Sequence, residues 1–210
     1  MNPERIGLFG GSFDPVHHGH LLLAQDALEQ LRLDRLFFIP AAINPHKLDA
    51  APQAPPRLRL EMLREATRMQ PLFSIDTLEL EREGPSFTID TVDAFRARFA
   101  GAQIFLLLGE DNLPKLHSWH RFERLRQLVS FVSFGRRAHA PEAAAPAAAP
   151  AAAPAVAPDK DLRLERLVRK IDISSTEIRA RVAKGLPIQY LVPESVRLLI
   201  QSHALYIQPV

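Results

Sequence analysis

The first forty residues restrict the chain to one kind of fold. Ile6 to Phe9 is a short apolar run, long enough for a buried strand and too short for a helix. A glycine pair, Gly10-Gly11, and a turn-forming Asp14-Pro15 follow it. From His18 onward Leu21, Ala24, Leu28 and Leu31 recur at helical spacing. Leu36 to Ile39 is a second apolar run, stopped by Pro40. Strand, helix and strand in that order make a βαβ unit, whose strands are parallel and whose crossover is right-handed. A parallel sheet must then be covered by helices on both faces.

The same alternation continues downstream. Arg57 to Met69 reads as a charged amphipathic helix after the proline-rich stretch 52–56, and Phe73 to Ile75 reads as a strand. Thr88 to Phe99 is helical, and Ile104 to Leu108 is a buried strand ending at Gly109. A helix over Phe122 to Leu128 and a strand over Val129 to Phe134 follow. Leu167 to Ile173 is read as the last strand, with a helix starting at Ser174 and a closing helix over Pro193 to Ser202. The expected fold class is α/β: a doubly wound, mostly parallel, Rossmann-like sheet with a small C-terminal helical part.

We expect one domain over residues 1–210, interrupted by an Ala/Pro-rich insertion at 140–158. Proline recurs there at every fourth position from Pro146 to Pro158. That spacing removes a donor from each helical turn, and alanine offers little to bury, so an exposed, semi-extended segment is expected.

Composition narrows the function. Hydrophobic residues make up 47% and charged residues 24%, as in an ordinary soluble globular protein. With no cysteine, a disulfide framework, a thiolate metal site and a cysteine nucleophile are excluded, and a reducing, cytoplasmic setting is expected. No apolar run approaches a membrane span and the start lacks the apolar core of a secretory signal, so no membrane partner is expected. A net charge of +2 makes no case for nucleic acid, and Arg163, Arg166, Arg169 and Lys170 read as a solvated basic stretch.

Two constellations carry chemistry. The first runs from Gly10 through Gly11, Ser12, Phe13, Asp14, Pro15, Val16, His17, His18 and Gly19 to His20. Glycines at the end of a first strand let backbone approach an anion, and a helix N-terminus attracts one. His17 and His20 are three apart and so share a helix face, where imidazoles donate to phosphate and, if protonated, oppose its charge. Gly19 leaves room beside them. A lone histidine is ordinarily a satisfied core or surface side chain, and a zinc site with Asp14 is a further alternative. No GxxxxGK[ST] occurs, and no GxGxxG follows the first strand, which disfavours P-loop proteins and dinucleotide-binding dehydrogenases. The second constellation is Ile173-Ser174-Ser175-Thr176-Glu177-Ile178-Arg179. Ser174 with Glu177 fits a capping box; the same helix start, with its hydroxyls and Arg179, can hold a triphosphate tail.

Together these segments resemble the two ends of the bacterial nicotinate-nucleotide adenylyltransferases, members of the HxGH nucleotidyltransferase superfamily. His17-His18-Gly19-His20 matches HxGH, and residues 173–179 match ISSTxIR. Residues 39–47, ending Asn44-Pro45-His46-Lys47, are similar to the family's IPxxxPPHK loop. Pro85-Ser86-Phe87-Thr88-Ile89-Asp90-Thr91 resembles PSYTIDT, Gly109-Glu110-Asp111 resembles GxD, and Trp119 stands where the family has a tryptophan. The resemblance implies adenylyl transfer from ATP to nicotinate mononucleotide, giving deamido-NAD and pyrophosphate. It assigns His17, His20 and Lys47 to catalysis. It assigns Gly10, Gly11, Ser12, Phe13, Gly19, Gly109, Asp111, Ile173, Ser174, Ser175, Thr176 and Arg179, with the two histidines, to ATP. Asp14, His46, Lys47, Phe87, Thr88 and Trp119 are assigned to nicotinate mononucleotide. Mg²⁺ is expected on the triphosphate, with substrate and water as most of its ligands and no evident protein ligand. A sister enzyme for nicotinamide mononucleotide or phosphopantetheine and a non-catalytic nucleotide-binding regulator are the alternatives. The PSFTIDT segment and Trp119 speak against the sister enzyme, and the presence of His17, His20 and Lys47 against the regulator.

Overall fold

The computed structural model describes residues 3–42, 52–82, 84, 86–134, 162–167 and 171–207. The expected insertion at 140–158 lies outside them, as do His46 and Lys47. Six strands form one sheet: β1 (Arg5–Gly11), β2 (Arg35–Pro40), β3 (Phe73–Ile75), β4 (Gln103–Gly109), β5 (Ser130–Phe134) and β6 (Leu164–Leu167). Their order is β3-β2-β1-β4-β5-β6 and every pairing is parallel. The helices are α1 (His18–Gln30), α2 (Pro56–Thr67), α3 (Leu78–Glu81), α4 (Thr88–Arg98), α5 (Phe122–Leu128), α6 (Ser175–Ala183) and α7 (Glu194–Ser202). A 3-10 helix spans Glu110–Ser118.

The central strands β1, β2 and β4 are apolar on both faces, and strand residues alternate between two cores. Phe9, Phe38, Phe105, Leu107 and Val132 join α1, α2, α6 and α7 residues such as Leu28, Met62, Ile178 and Val196 in one cluster. Ile6, Leu8, Phe37, Ile39, Leu106 and Phe131 join Val92, Phe95 and Leu125 of α4 and α5 in the other. A period of two along each strand thus sends successive side chains to opposite layers. Gly7 is the exception that the packing demands: a Cβ there would stand 2.7 Å from Leu33 Cδ1.

Most sequence-expected elements form within a residue or two of their expected ends. The last strand does not. The expectation is Leu167 to Ile173, but β6 is Leu164–Leu167, paired with residues 131–134 of β5, residues 168–170 lie outside the described residues, and 171–173 are not strand. Ile171 and Ile173 lie beyond it and pack side-on against the first core. Charged residues within β6 disguised it, because an edge strand has solvent beside it and tolerates them. The short α3 and the 3-10 helix, which contains Pro114, were not anticipated. Among the described residues, no helix is long and apolar enough to cross a membrane.

The strand order reverses between β1 and β4. In open parallel sheets the crevice outside the strands' carboxyl ends at this switch point is where ligands bind. Gly10, Gly11 and Gly109 end β1 and β4 there.

Candidate active site

At the end of β1 the chain turns through residues 12–17 into α1. His17 is the N-cap of α1, with extended backbone, rather than a residue of its first turn. Its Nδ1 accepts from the backbone N–H of His20 at 3.3 Å, and His20 Nδ1 accepts from the N–H of His17 at 3.3 Å. The two imidazoles are stacked, with centroids 3.7 Å apart. This is a capping box made of histidines. A ring nitrogen that accepts a backbone N–H cannot carry a proton, so each ring holds its proton on Nε2. Adding a second proton at Nδ1 would break the cap. The geometry therefore favours neutral imidazoles acting as Nε2–H donors over the charged imidazolium that the spacing alone allowed.

Neighbours hold this pair in place. A Cβ on Gly19 would stand 2.9 Å from His17 Nδ1 and 3.2 Å from Ile171 Cγ2, so glycine is required for the close approach. Phe13 meets the edge of His20 at a centroid distance of 5.1 Å. Phe13 is itself 2% exposed and packs on Phe9 and Phe38. The ring is thus spent on the core and buttresses His20.

A cleft is floored by the ends of β1 and β4. It brings together Gly10, Gly11, Phe87, Thr88, Gly109 and Trp119, residues that were far apart in the sequence. Nothing stands within 4 Å of where a Gly10 Cβ would be, so that strand end faces open space. Gly109 is crowded instead, since a Cβ there would collide with Oδ1 of Asp111, which folds back over the strand end. The N-terminus of α4 faces the cleft at Phe87 and Thr88 and has no side-chain cap. Ser86, which could have capped it, donates instead to the carbonyl of Glu79 at 3.4 Å. An uncapped helix start supplies backbone donors and a partial positive charge to an anion.

The ISSTxIR segment meets the same loop from the other side. Ser174 caps α6, its Oγ accepting from Glu177 N at 3.1 Å. Ser175 Oγ donates to Pro15 O at 2.8 Å, and Arg179 Nη1 donates to Asp14 O at 2.8 Å. Thr176 is exposed, accepting from Arg179 Nη2 at 3.3 Å, while Ile173 packs against the core.

Residues 8–181 match the cytidylyltransferase-like family. A probable nicotinate-nucleotide adenylyltransferase of Exiguobacterium sibiricum is 41% identical over 205 residues, which cover 96% of this chain and 98% of the relative. One of Gemmatimonas aurantiaca is 44% identical over 203 residues, covering 96% and 92%. The chain belongs to the nicotinate-nucleotide adenylyltransferase family. The fold agrees. The Plasmodium falciparum nicotinic acid mononucleotide adenylyltransferase complexed with NaAD has a TM-score of 0.72 at 17% identity, covering 97% of each chain.

In this family member Asp14 is held by protein, and Arg59 and Glu79, which the sequence did not single out, are buried beside the loop and the cleft. Asp14 was expected to contact the mononucleotide. Its carboxylate is instead 3% exposed and accepts from Gln53 N at 2.8 Å and Ala54 N at 3.0 Å, so it binds protein. Arg59 of α2 is 1% exposed and donates from Nη1 to Ser12 O at 2.6 Å. Burial pushes its pKa down, and the nearby Asp14 carboxylate opposes that shift. Glu79 lines the cleft, accepts from Thr91 Oγ1 at 2.7 Å, and has its pKa raised by burial. A buried arginine on a charged helix and an acid between leucines look in sequence like surface residues, and only packing reverses that.

Proposed function

We propose that this protein transfers the adenylyl group of ATP to nicotinate mononucleotide, releasing pyrophosphate and forming deamido-NAD. The observation that carries the reading is that β1, at the switch point, ends in glycines that line a cleft shared with Trp119 and the uncapped start of α4, and runs on into the loop that carries the stacked His17–His20 pair. In the reaction, a phosphate oxygen of the mononucleotide attacks the α-phosphorus of ATP. The new P–O bond forms as the bond to the β-phosphate breaks. The attacking phosphate is already a nucleophile, so no enzyme-bound intermediate is required and catalysis is positioning plus charge stabilisation.

His17 and His20 donate from Nε2 to the α-phosphate, where charge develops. The start of α6 receives the β- and γ-phosphates through the backbone donors of residues 174–176 and the hydroxyls of Ser174 and Thr176, Ser175 Oγ being held by Pro15 O. Arg179 supports that role from behind, since its guanidinium already holds the carbonyl of Asp14. His46 and Lys47 supply further donors to the phosphates. Trp119 stacks on the pyridine ring, and the α4 start at Phe87 and Thr88 takes the pyridine carboxylate. ATP enters as its Mg²⁺ complex. Magnesium keeps several waters and takes substrate phosphate oxygens, so those would supply most of its ligands. The lack of cysteine agrees with a cytoplasmic setting for the reaction.

The test is pyrophosphate release from ATP and Mg²⁺ with nicotinate mononucleotide and nicotinamide mononucleotide in parallel. We expect strong preference for the acid, because donors built for a carboxylate are poorly matched by an amide. Equal use of both overturns the carboxylate site at Thr88. No release with either overturns the transfer.

A further inference from the structure

Past α7 the chain bends so that Tyr206 returns to the first loop. Its backbone has φ 64°, the left-handed region that a bulky residue rarely adopts, so its surroundings must hold it there. The ring is 9% exposed and the hydroxyl donates to Asp14 Oδ1 at 2.7 Å. Burial and the adjacent Asp14 carboxylate push the phenol's titration upward, so the hydroxyl remains a donor at any working pH. Asp14 thereby joins the end of the chain to Gln53 and Ala54 at the start of α2.

The backbone ahead of His17 is held at successive points by different elements. Ser12 O accepts from Arg59 of α2, while Asp14 O and Pro15 O accept from Arg179 and Ser175 of α6. His18 N donates to Leu191 O at 3.0 Å, in the segment before α7. These attachments act on main-chain atoms, and Asp14 adds a side-chain anchor in their midst. Removing the phenolic donor leaves a buried carboxylate oxygen with fewer partners, which costs more than the same loss at a surface. The carboxylate then shifts toward its remaining donors and carries the loop with it.

We infer that Tyr206 is a positioning residue for adenylyl transfer: through Asp14 it sets where residues 12–17 stand, and so where the stacked imidazoles meet the α-phosphate. The inference rests on the proposed transfer reaction. A small displacement of groups that stabilise a transition state costs rate far more than it costs substrate affinity.

Tyr206→Phe keeps the ring and removes the donor. Steady-state kinetics with ATP and nicotinate mononucleotide are measured beside amide hydrogen exchange at Gln53 and Ala54. The expected result is a kcat lower by about tenfold to a hundredfold, little change in either KM, and faster exchange at both amides. Asp14→Asn, which alters the acceptor instead of the donor, is expected to move kcat and exchange in the same direction. A merely structural tyrosine would lower the melting temperature and leave kcat unchanged below it; that outcome overturns the inference. So does a fall in kcat with exchange unchanged, or faster exchange with kcat unchanged. An active wild type with unaltered Tyr206→Phe overturns the positioning role alone. A wild type that releases no pyrophosphate overturns the transfer itself, and the positioning role with it.

Discussion

His17 and His20 each use one ring nitrogen, Nδ1, for structure, and the proposed chemistry falls to Nε2. The Nδ1 atoms close the reciprocal cap of α1, and the proton is left on each Nε2. The spacing of these residues was readable in the sequence, and so was the need for glycine between them. Their role as a cap was not, because N-caps are ordinarily Ser, Thr, Asp or Asn and an imidazole reads as a ligand or a catalyst. Asp14 beside two histidines reads as a zinc alternative and by resemblance as a mononucleotide contact, and nothing local reveals that Gln53, Ala54 and Tyr206 converge on it. We expect His20→Ala to reduce pyrophosphate release by a factor on the order of a hundred or more, as for loss of a donor to developing charge. The loss of half the cap should cost about 1 kcal/mol of stability, so circular dichroism should show the variant still folded. Unchanged product formation would remove His20 from the catalytic role.

Elements whose sequence and environment agree were legible. β1, β2 and β4 are apolar on both faces because helices cover both, and α1 and α4 carry apolar periodicity. β6 and the 3-10 helix were not legible. An edge strand needs few apolar residues, and a short 3-10 run around Pro114 lacks the period of an α-helix. The start of α6 was seen as either a cap or a phosphate site, and the Ser174 hydrogen bond establishes the cap without excluding the other role. Two substitutions separate them. Ser174→Ala should lower stability by about 1 kcal/mol, read from the urea midpoint. Ser174→Asp caps as well as serine and should restore that midpoint, yet its charge should raise the KM for ATP. A wild-type KM in the Asp variant would show that α6 does not meet the triphosphate.

For the molecule as a whole, stability should carry the signature of Glu79. Its pKa is raised by burial, so in the folded protein it holds its proton to a higher pH than in the unfolded chain. Below the unfolded value both states are protonated. As pH rises through that value the unfolded chain ionises first, and stability falls until the folded value is passed. Glu79→Gln removes this loss and keeps an acceptor for Thr91. Urea midpoints should therefore favour the variant at about pH 8, with the advantage shrinking toward about pH 4, near the ordinary glutamate value. An advantage independent of pH would show that the buried charge is not its source. By itself the sequence determined the layered α/β class, the parallel first strands and the loop at their carboxyl ends, because periodicity and turn residues act over short stretches of chain. It also identified His17 and His20 as candidates by their local spacing, and Thr88 and Trp119 through the resemblance of their segments to the family. The tertiary structure alone decided that Thr88 and Trp119 share one cleft, that Arg59 and Glu79 are buried, and that the chain's last turn reaches Asp14. Those facts depend on which surfaces meet when the sheet closes, and a contact between residues 14 and 206 leaves no pattern in the sequence near either one.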